Sequence, residues 1–273
     1  MPILTPILRP ILRPVLTSVF ERGVGGGASS LTAKVQALFP KYSAKGGMWD
    51  FTDMGTLFQD SARTVPVTAA SQPVGGVNDI SGLHSVLAQP TSGKRPQFNG
   101  AGVTPDGVDD FFVTASNLDL TACDKVVVAM GYTKVADALL DQARSTGSHG
   151  NPGSFYLLTG SGGGAGHQPA LVSGASVNYI YASMPSAVPN GYGSHIARGS
   201  IPTNRVDVWW NGVLGIPSTA AQGGGTYANG IVEFLLASNT PARRALVMGV
   251  PVAGPQVSDD DIELIRLWLM EGV

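Results

Sequence analysis

The chain has 273 residues, 43% of them apolar, and a formal charge of −2 at neutral pH from 17 basic and 19 acidic side chains. That length allows one large β-sandwich with a full core, or two small domains. The balanced charge leaves no basic footprint for nucleic acid, and a single cysteine, Cys123, excludes an intrachain disulfide framework. Charged residues make up only 13%, while 36 Gly and 19 Pro suit many turns and surfaces that partners cover.

Residues 1–27 read as an arm and a hinge. Pro2, Pro6, Pro10 and Pro14 are each followed by an apolar pair: Ile3-Leu4, Ile7-Leu8, Ile11-Leu12 and Val15-Leu16. Each proline removes an N–H and clashes with a helical carbonyl, so no continuous helix runs up to Pro14. The residue before each proline is pushed to extended geometry, and a polyproline-like or β-like arm follows. Val15 to Arg22 suits a short helix with Pro14 in its first turn. Arg9 and Arg13 inside the apolar run, and the proline spacing, argue against a signal peptide and a transmembrane span. The eight apolar residues of the pairs either dock on another protein or pack on their own domain; docking is the favoured reading, because exposed apolar patches mark interaction sites. Gly23 to Gly27 is the hinge.

The body, residues 28–273, reads as all-β. Ser29 and Ser30 can cap a helix over Leu31 to Phe39, ended by Pro40. Trp49 and Phe58 read as core, and Asp50, Asp53 and Asp60 as turn or cap residues. Thr64 to Val74 carries Pro66 and Pro73 and suggests an edge strand. The stretch Phe98 to Val113 reads as a hairpin turning at Asp106-Gly107 and Asp109-Asp110. Asp124 to Lys134 is a strand covered on both faces, with Cys123 a buried structural thiol beside it. Further strands are expected over Ser154 to Thr159, Ala170 to Ser183, Ser194 to Arg198, Arg205 to Trp210 and Gly230 to Leu236. Asn211-Gly212 is a two-residue hairpin signal. Trp209 and Trp210 are adjacent and must point to opposite faces of a strand, so one is expected in the core and the other exposed or at an interface. Residues 258–271 read as a helix, with Ser258 as cap and three aspartates in its first turn.

Several short patterns together resemble a known family. They are Phe98 to Val113 with its Asp106-Gly-Val-Asp-Asp110 core, Trp49-Asp-Phe-Thr-Asp53 leading to Thr56-Leu-Phe-Gln-Asp60, and Asp79-Ile-Ser-Gly-Leu-His84 followed by Arg95-Pro96. Val206 to Leu214 and the Ser258 to Leu269 ending add to them. In this order they resemble the concanavalin A-like (LamG-type) jelly-roll domains of tailed-bacteriophage and prophage virion proteins, over roughly Ser29 to Val273. The resemblance implies a jelly-roll β-sandwich with an extended N-terminal arm and a short C-terminal helix. It also implies a virion location and a homo-oligomer, most simply a trimer.

Chemistry is sparse. The four glutamates, Glu21, Glu233, Glu263 and Glu271, form no E-x-D-x-E strand of the kind jelly-roll glucanases use. The four histidines, His84, His149, His167 and His195, read as isolated loop residues, with no triad and no metal spacing. No cofactor is expected. Asp106, Asp109 and Asp110 read as turn chemistry, and calcium binding there is the less favoured alternative. Trp209, Trp210, Tyr192 and His195 are the candidates for glycan or interface contact. The expectation is a non-enzymatic virion protein: a tail-fibre, baseplate or receptor-binding component touching host-surface glycan or a tail partner. A capsid decoration protein is the alternative, and a polysaccharide-degrading enzyme a third reading.

Overall fold

The longest apolar run makes the central strand. Cys123–Lys134 is twelve residues long and lies between Gly191–Ser200 and Ala242–Pro251, antiparallel to both. Side chains alternate across it: Val126, Val128, Met130 and Tyr132 face the sandwich interior, while Val127 and Ala129 face the opposite side. The expected two-sided burial holds, and its cause is a layer of helices on the outer face. The computed structural model describes residues 30–134, 140–145, 153–159, 168–171, 180–184, 189–235 and 241–273.

Two large antiparallel sheets form the sandwich. The first runs Val213–Leu214, Arg205–Trp210, Gly191–Ser200, Cys123–Lys134, Ala242–Pro251, Val103–Thr104, Gln97–Phe98, with Lys45–Asp50 also paired to Ala242–Pro251. The second runs Ile180–Tyr181, Gln168–Leu171, Phe155–Thr159, Leu140–Ser145, Val232–Leu235, Phe111–Thr114, Leu87–Ala88, Gly76–Val77, Leu57–Phe58. Between them lies a core rich in large side chains, including Trp49, Phe51, Phe112, Phe234 and Tyr132, each fully buried. Trp49 meets Phe234 edge-on at 5.1 Å, and Phe51 stacks on Phe112 at 5.8 Å.

A second core lies between the first sheet and the helices Leu31–Gln36, Leu38–Lys41 and Asp259–Leu269. Ile262, Ile265, Trp268 and Leu269 of the last helix are buried on it. Ser258 caps this helix by accepting from the Asp261 amide at 3.2 Å, as the sequence predicts. Two buried arginines rivet the helix to the sheet. Arg198 donates to the Val257 carbonyl and to Asp259 beside the first turn, and Arg244 donates to the Trp268 carbonyl near the end. Each is held by a buried aspartate: Arg198 by Asp207 at 2.8 Å and Arg244 by Asp50 at 2.9 Å. Asp261 forms a third fastening, taking Lys41 Nζ at 2.6 Å and the hydroxyls of Ser258 and Tyr42. Burial alone would raise its carboxyl, but these donors outweigh it and hold Asp261 below the ordinary value.

Several expectations are corrected. Val103–Thr104 and Phe111–Thr114 do not pair; Pro105 to Asp110 carries the chain from one sheet to the other. The real hairpin is Gln97–Phe98 with Val103–Thr104, turning through Asn99 to Gly102, with Gly100 at φ 91°. Thr64 to Val74 forms only isolated bridges at Pro66 and Pro73, because Asp60 takes the Thr64 and Val65 amides and Ser71 turns at φ 66°. The first helix breaks at Ala37, since Pro40 has no N–H to continue it, and then resumes through Lys41. Leu57, not the half-buried Phe58, fills the core. Lys45–Asp50 and Ala242–Pro251 are strands the sequence reading passed over. The Asn211-Gly212 turn holds, at φ 50° and 82°, as a tight primed turn needs.

Candidate ligand-binding groove

The crossover loop Pro105 to Asp110 builds one wall of an open groove of about 640 Å³. The hairpin strand Gln97–Phe98 and the short 3₁₀ turn Ser92–Lys94 supply the floor and the other wall. Ser71, Ser92, Gln97, Asn99, Thr104, Asp106 and Asp110 line it. These are hydroxyl, amide and carboxylate groups, the set that hydrogen-bonds sugar hydroxyls. Arg95 is the frame beneath. Its guanidinium donates to the Gln89, Gln59 and Pro90 carbonyls at 3.0 to 3.1 Å and so is committed to structure.

The three loop aspartates do come together: carboxylate oxygens of Asp106, Asp109 and Asp110 lie within 4.8 Å of one another. Asp110 Oδ2 accepts the Asp106 amide at 2.8 Å, Asp106 Oδ1 accepts the Val108 amide at 2.8 Å, and Asp109 pairs with Lys94 at 3.1 Å. The loop's own amides and one lysine thus occupy much of the cluster, which is the turn chemistry expected of Asp-Gly-Val-Asp-Asp. Burial raises the Asp110 carboxyl above its ordinary value; the Asp106 amide opposes, and the charges of Asp106 and Asp109 add to the rise. Calcium at these residues remains a proposal, carried by the carboxylate count and hard-oxygen chemistry.

The aromatic candidates lie elsewhere. Trp210 is 4% exposed in the core between the sheets, with Tyr132 at 5.6 Å. Trp209 is 9% exposed under the terminal helix, with the Arg198 guanidinium 5.0 Å above its ring. One tryptophan was expected exposed or at an interface; neither is exposed, because helices cover the outer face of the sheet. His195 is fully buried in the strand Gly191–Ser200, not a loop, with the Tyr132 hydroxyl 3.2 Å from Nδ1. Tyr192 is half-buried and donates to the Leu269 carbonyl at 2.6 Å. These four side chains pack the protein. Glu233 pairs with Arg144 at 2.6 Å across neighbouring strands. The arm residues Ile3, Leu4, Ile7, Leu8, Ile11, Leu12, Val15 and Leu16, and also His149 and His167, lie outside the described residues. The groove itself was missed because Gln97, Asn99 and Asp110 meet only after the chain has crossed between sheets; Asn99-Gly100 was the available signal.

No family model and no curated protein sequence matches the chain. Solved structures do. The ligand binding domain of botulinum neurotoxin serotype D, in complex with N-acetylneuraminic acid, superposes with a TM-score of 0.57 at 11% identity, over 87% of this chain and 52% of that one. A GH54 α-L-arabinofuranosidase superposes with a TM-score of 0.58 at 12% identity, over 86% of this chain and 64% of that one. The chain thus spans about half the length of the neurotoxin domain it matches. These likenesses show the fold, a jelly-roll β-sandwich, to which this chain adds a short C-terminal helix. No helix among the described residues is long and apolar enough to cross a membrane.

Proposed function

We propose that this chain is a non-enzymatic structural subunit of a tailed-bacteriophage virion, a tail-fibre, baseplate or receptor-binding component whose sandwich contacts host-surface glycan. The observation that carries the glycan contact is the open groove of about 640 Å³, lined by hydroxyl, amide and carboxylate groups on a rigid frame. The virion setting rests on the resemblance of the body and on the apolar, proline-punctuated arm, which would anchor the subunit to a neighbouring virion protein. A homotrimer would let three arms bind cooperatively.

The full chain should bind purified host surface polysaccharide, and replacing the exposed Gln97 by alanine should weaken that binding without lowering Tm. Equal binding by this variant would remove the groove from the account. Removal of residues 1–27 should leave a folded body that no longer joins particles; continued incorporation would remove the arm. A hydrolase reading draws on Asp110, a buried acid of raised pKa beside two other carboxylates. Polysaccharide cleavage abolished by Asp110→Asn would establish it in place of the proposal.

A further inference from the structure

The first sheet ends on one side in an open apolar edge. Val213–Leu214 is its last strand, and Val213, Leu214 and Ile216 are 61%, 47% and 56% exposed. Backbone groups alternate between the two edges of a strand. The Gly215 amide donates inward to the Val208 carbonyl at 2.8 Å. Ile216 faces outward and exchanges both hydrogen bonds with Ser183, at 2.7 and 3.1 Å. Leu214, opposite Trp209, therefore also turns its amide and carbonyl outward, and neither has a hydrogen bond among the described residues. Other sheet ends are closed by proline-bearing segments: Pro73 bridges to Gln97, and Pro66 to Phe58. An aliphatic edge with no lysine or proline over Val213 to Ile216 is a template for a further strand.

The N-terminal arm has the pattern of such a strand. Pro2, Pro6, Pro10 and Pro14 recur every fourth residue, so in an extended chain all four fall on one backbone edge. The other edge keeps every N–H, including those of Ile3, Ile7 and Ile11. A strand of this kind can pair on one side only, with its prolines turned to solvent. Residues directly opposite share a face, so pairing with Leu214 sets these isoleucines beside it, and Arg9 and Arg13 with them. That face borders the start of the terminal helix, where Asp259 and Glu263 line a cleft with Trp209 and Gly212. Arg198 and Arg266 pair with them, yet their side chains remain 83% and 50% exposed, and Asp260 carries no ion pair among the described residues. The arm's arginines thus meet an acidic turn. Ser30, the first described residue, caps a helix on the outer face of this same sheet. The residues before it span up to about 95 Å when extended, at roughly 3.3 Å each, enough to leave a body roughly 45 Å across.

We propose that this edge receives the arm of a second copy of the chain, laid beside Leu214 as an added strand. The inference rests on the docking-arm reading above and names the partner. Donor and acceptor surfaces differ, so the contact is heterologous and closes the copies into a ring.

Light scattering and sedimentation over a dilution series test it. The full chain should be an oligomer, and the chain lacking residues 1–27 a folded monomer. Leu214→Lys should leave Tm unchanged and raise the concentration for half-assembly by about tenfold or more. Two matched arm variants separate strand pairing from apolar contact alone. Ile3→Pro with Ile7→Pro and Ile11→Pro places prolines on the pairing edge and should abolish assembly. Leu4→Pro with Leu8→Pro and Leu12→Pro places them on the edge that already carries prolines and should weaken assembly less. A monomeric full chain, an oligomer that survives loss of the arm, Leu214→Lys assembling as the parent does, or equal loss in the two arm variants would each overturn the inference. If particles still take up the full chain but not the shortened one in any of those cases, the arm reading stands with a different virion protein as its dock; if they take up both, the arm reading falls too.

Discussion

Replacing Arg244 by methionine tests how the terminal helix is held. Arg244 and Asp50 are 9% and 8% exposed at their side chains and meet at 2.9 Å. Arg244 also donates to the Trp268 carbonyl, pairs with Glu271 at 3.1 Å and lies 5.4 Å over the Trp268 ring. Methionine fills most of the stem volume, so the cavity contribution is small. What remains is a buried carboxylate whose Oδ2 has lost its cation, and a helix-end carbonyl without its donor. Asp50 Oδ1 still accepts from the Thr52 amide and hydroxyl, which do not replace the charge. Breaking a buried pair from one side costs about 3–5 kcal/mol. At about 2–4 °C per kcal/mol for a domain of this size, Tm should fall by roughly 6–20 °C. Urea unfolding followed by fluorescence and circular dichroism measures the free energy, and calorimetry the Tm. Adding Asp50→Asn should recover most of the loss, because it removes the orphaned charge and keeps the Thr52 contacts. A loss under about 1 kcal/mol in the single variant, or no recovery in the double, would refute the reasoning that desolvated charge dominates here.

Asp110→Asn should raise Tm at pH 7. The folded carboxyl titrates above the unfolded one, so stability falls as pH rises through that window and stays lower above it. The advantage should disappear below about pH 4, where the unfolded carboxyl is also protonated, and a pH series of melting curves reads this directly. Phe112→Ala removes a fully buried ring stacked on Phe51 and should cost about 3–5 kcal/mol in urea unfolding. Cys123 is fully buried, and burial pushes its thiol up to about 11. The native chain should therefore resist a thiol-specific disulfide reagent at pH 8 and react only at the rate of unfolding; stoichiometric labelling within seconds would contradict that placement.

Local signals in this chain were legible where neighbours in sequence are also neighbours in space. Ser258 before three aspartates and a 3.6-residue apolar stripe set the terminal helix. Asn211-Gly212 set a primed turn, and the unbroken valine run set a strand buried on both faces. Composition and pattern together were enough for an all-β sandwich. What covers each face was a tertiary matter. Trp209 and Trp210 had to diverge because strand geometry is local, but whether the outward one met solvent depended on a helix about 50 residues further on. The Asp106-Gly107 turn looked like a hairpin because Asp-Gly chemistry fixes a bend and says nothing of which strands pair afterwards; long-range pairing sent Phe111–Thr114 to the other sheet. The buried Arg198–Asp207 pair depends on the same long-range information, since cross-strand register sets arginine opposite aspartate. Local sequence decided the caps, the tight turn and the longest strand; the sheet register and the covering helices decided which polar groups face each other, because those contacts join residues that only folding brings within hydrogen-bonding distance.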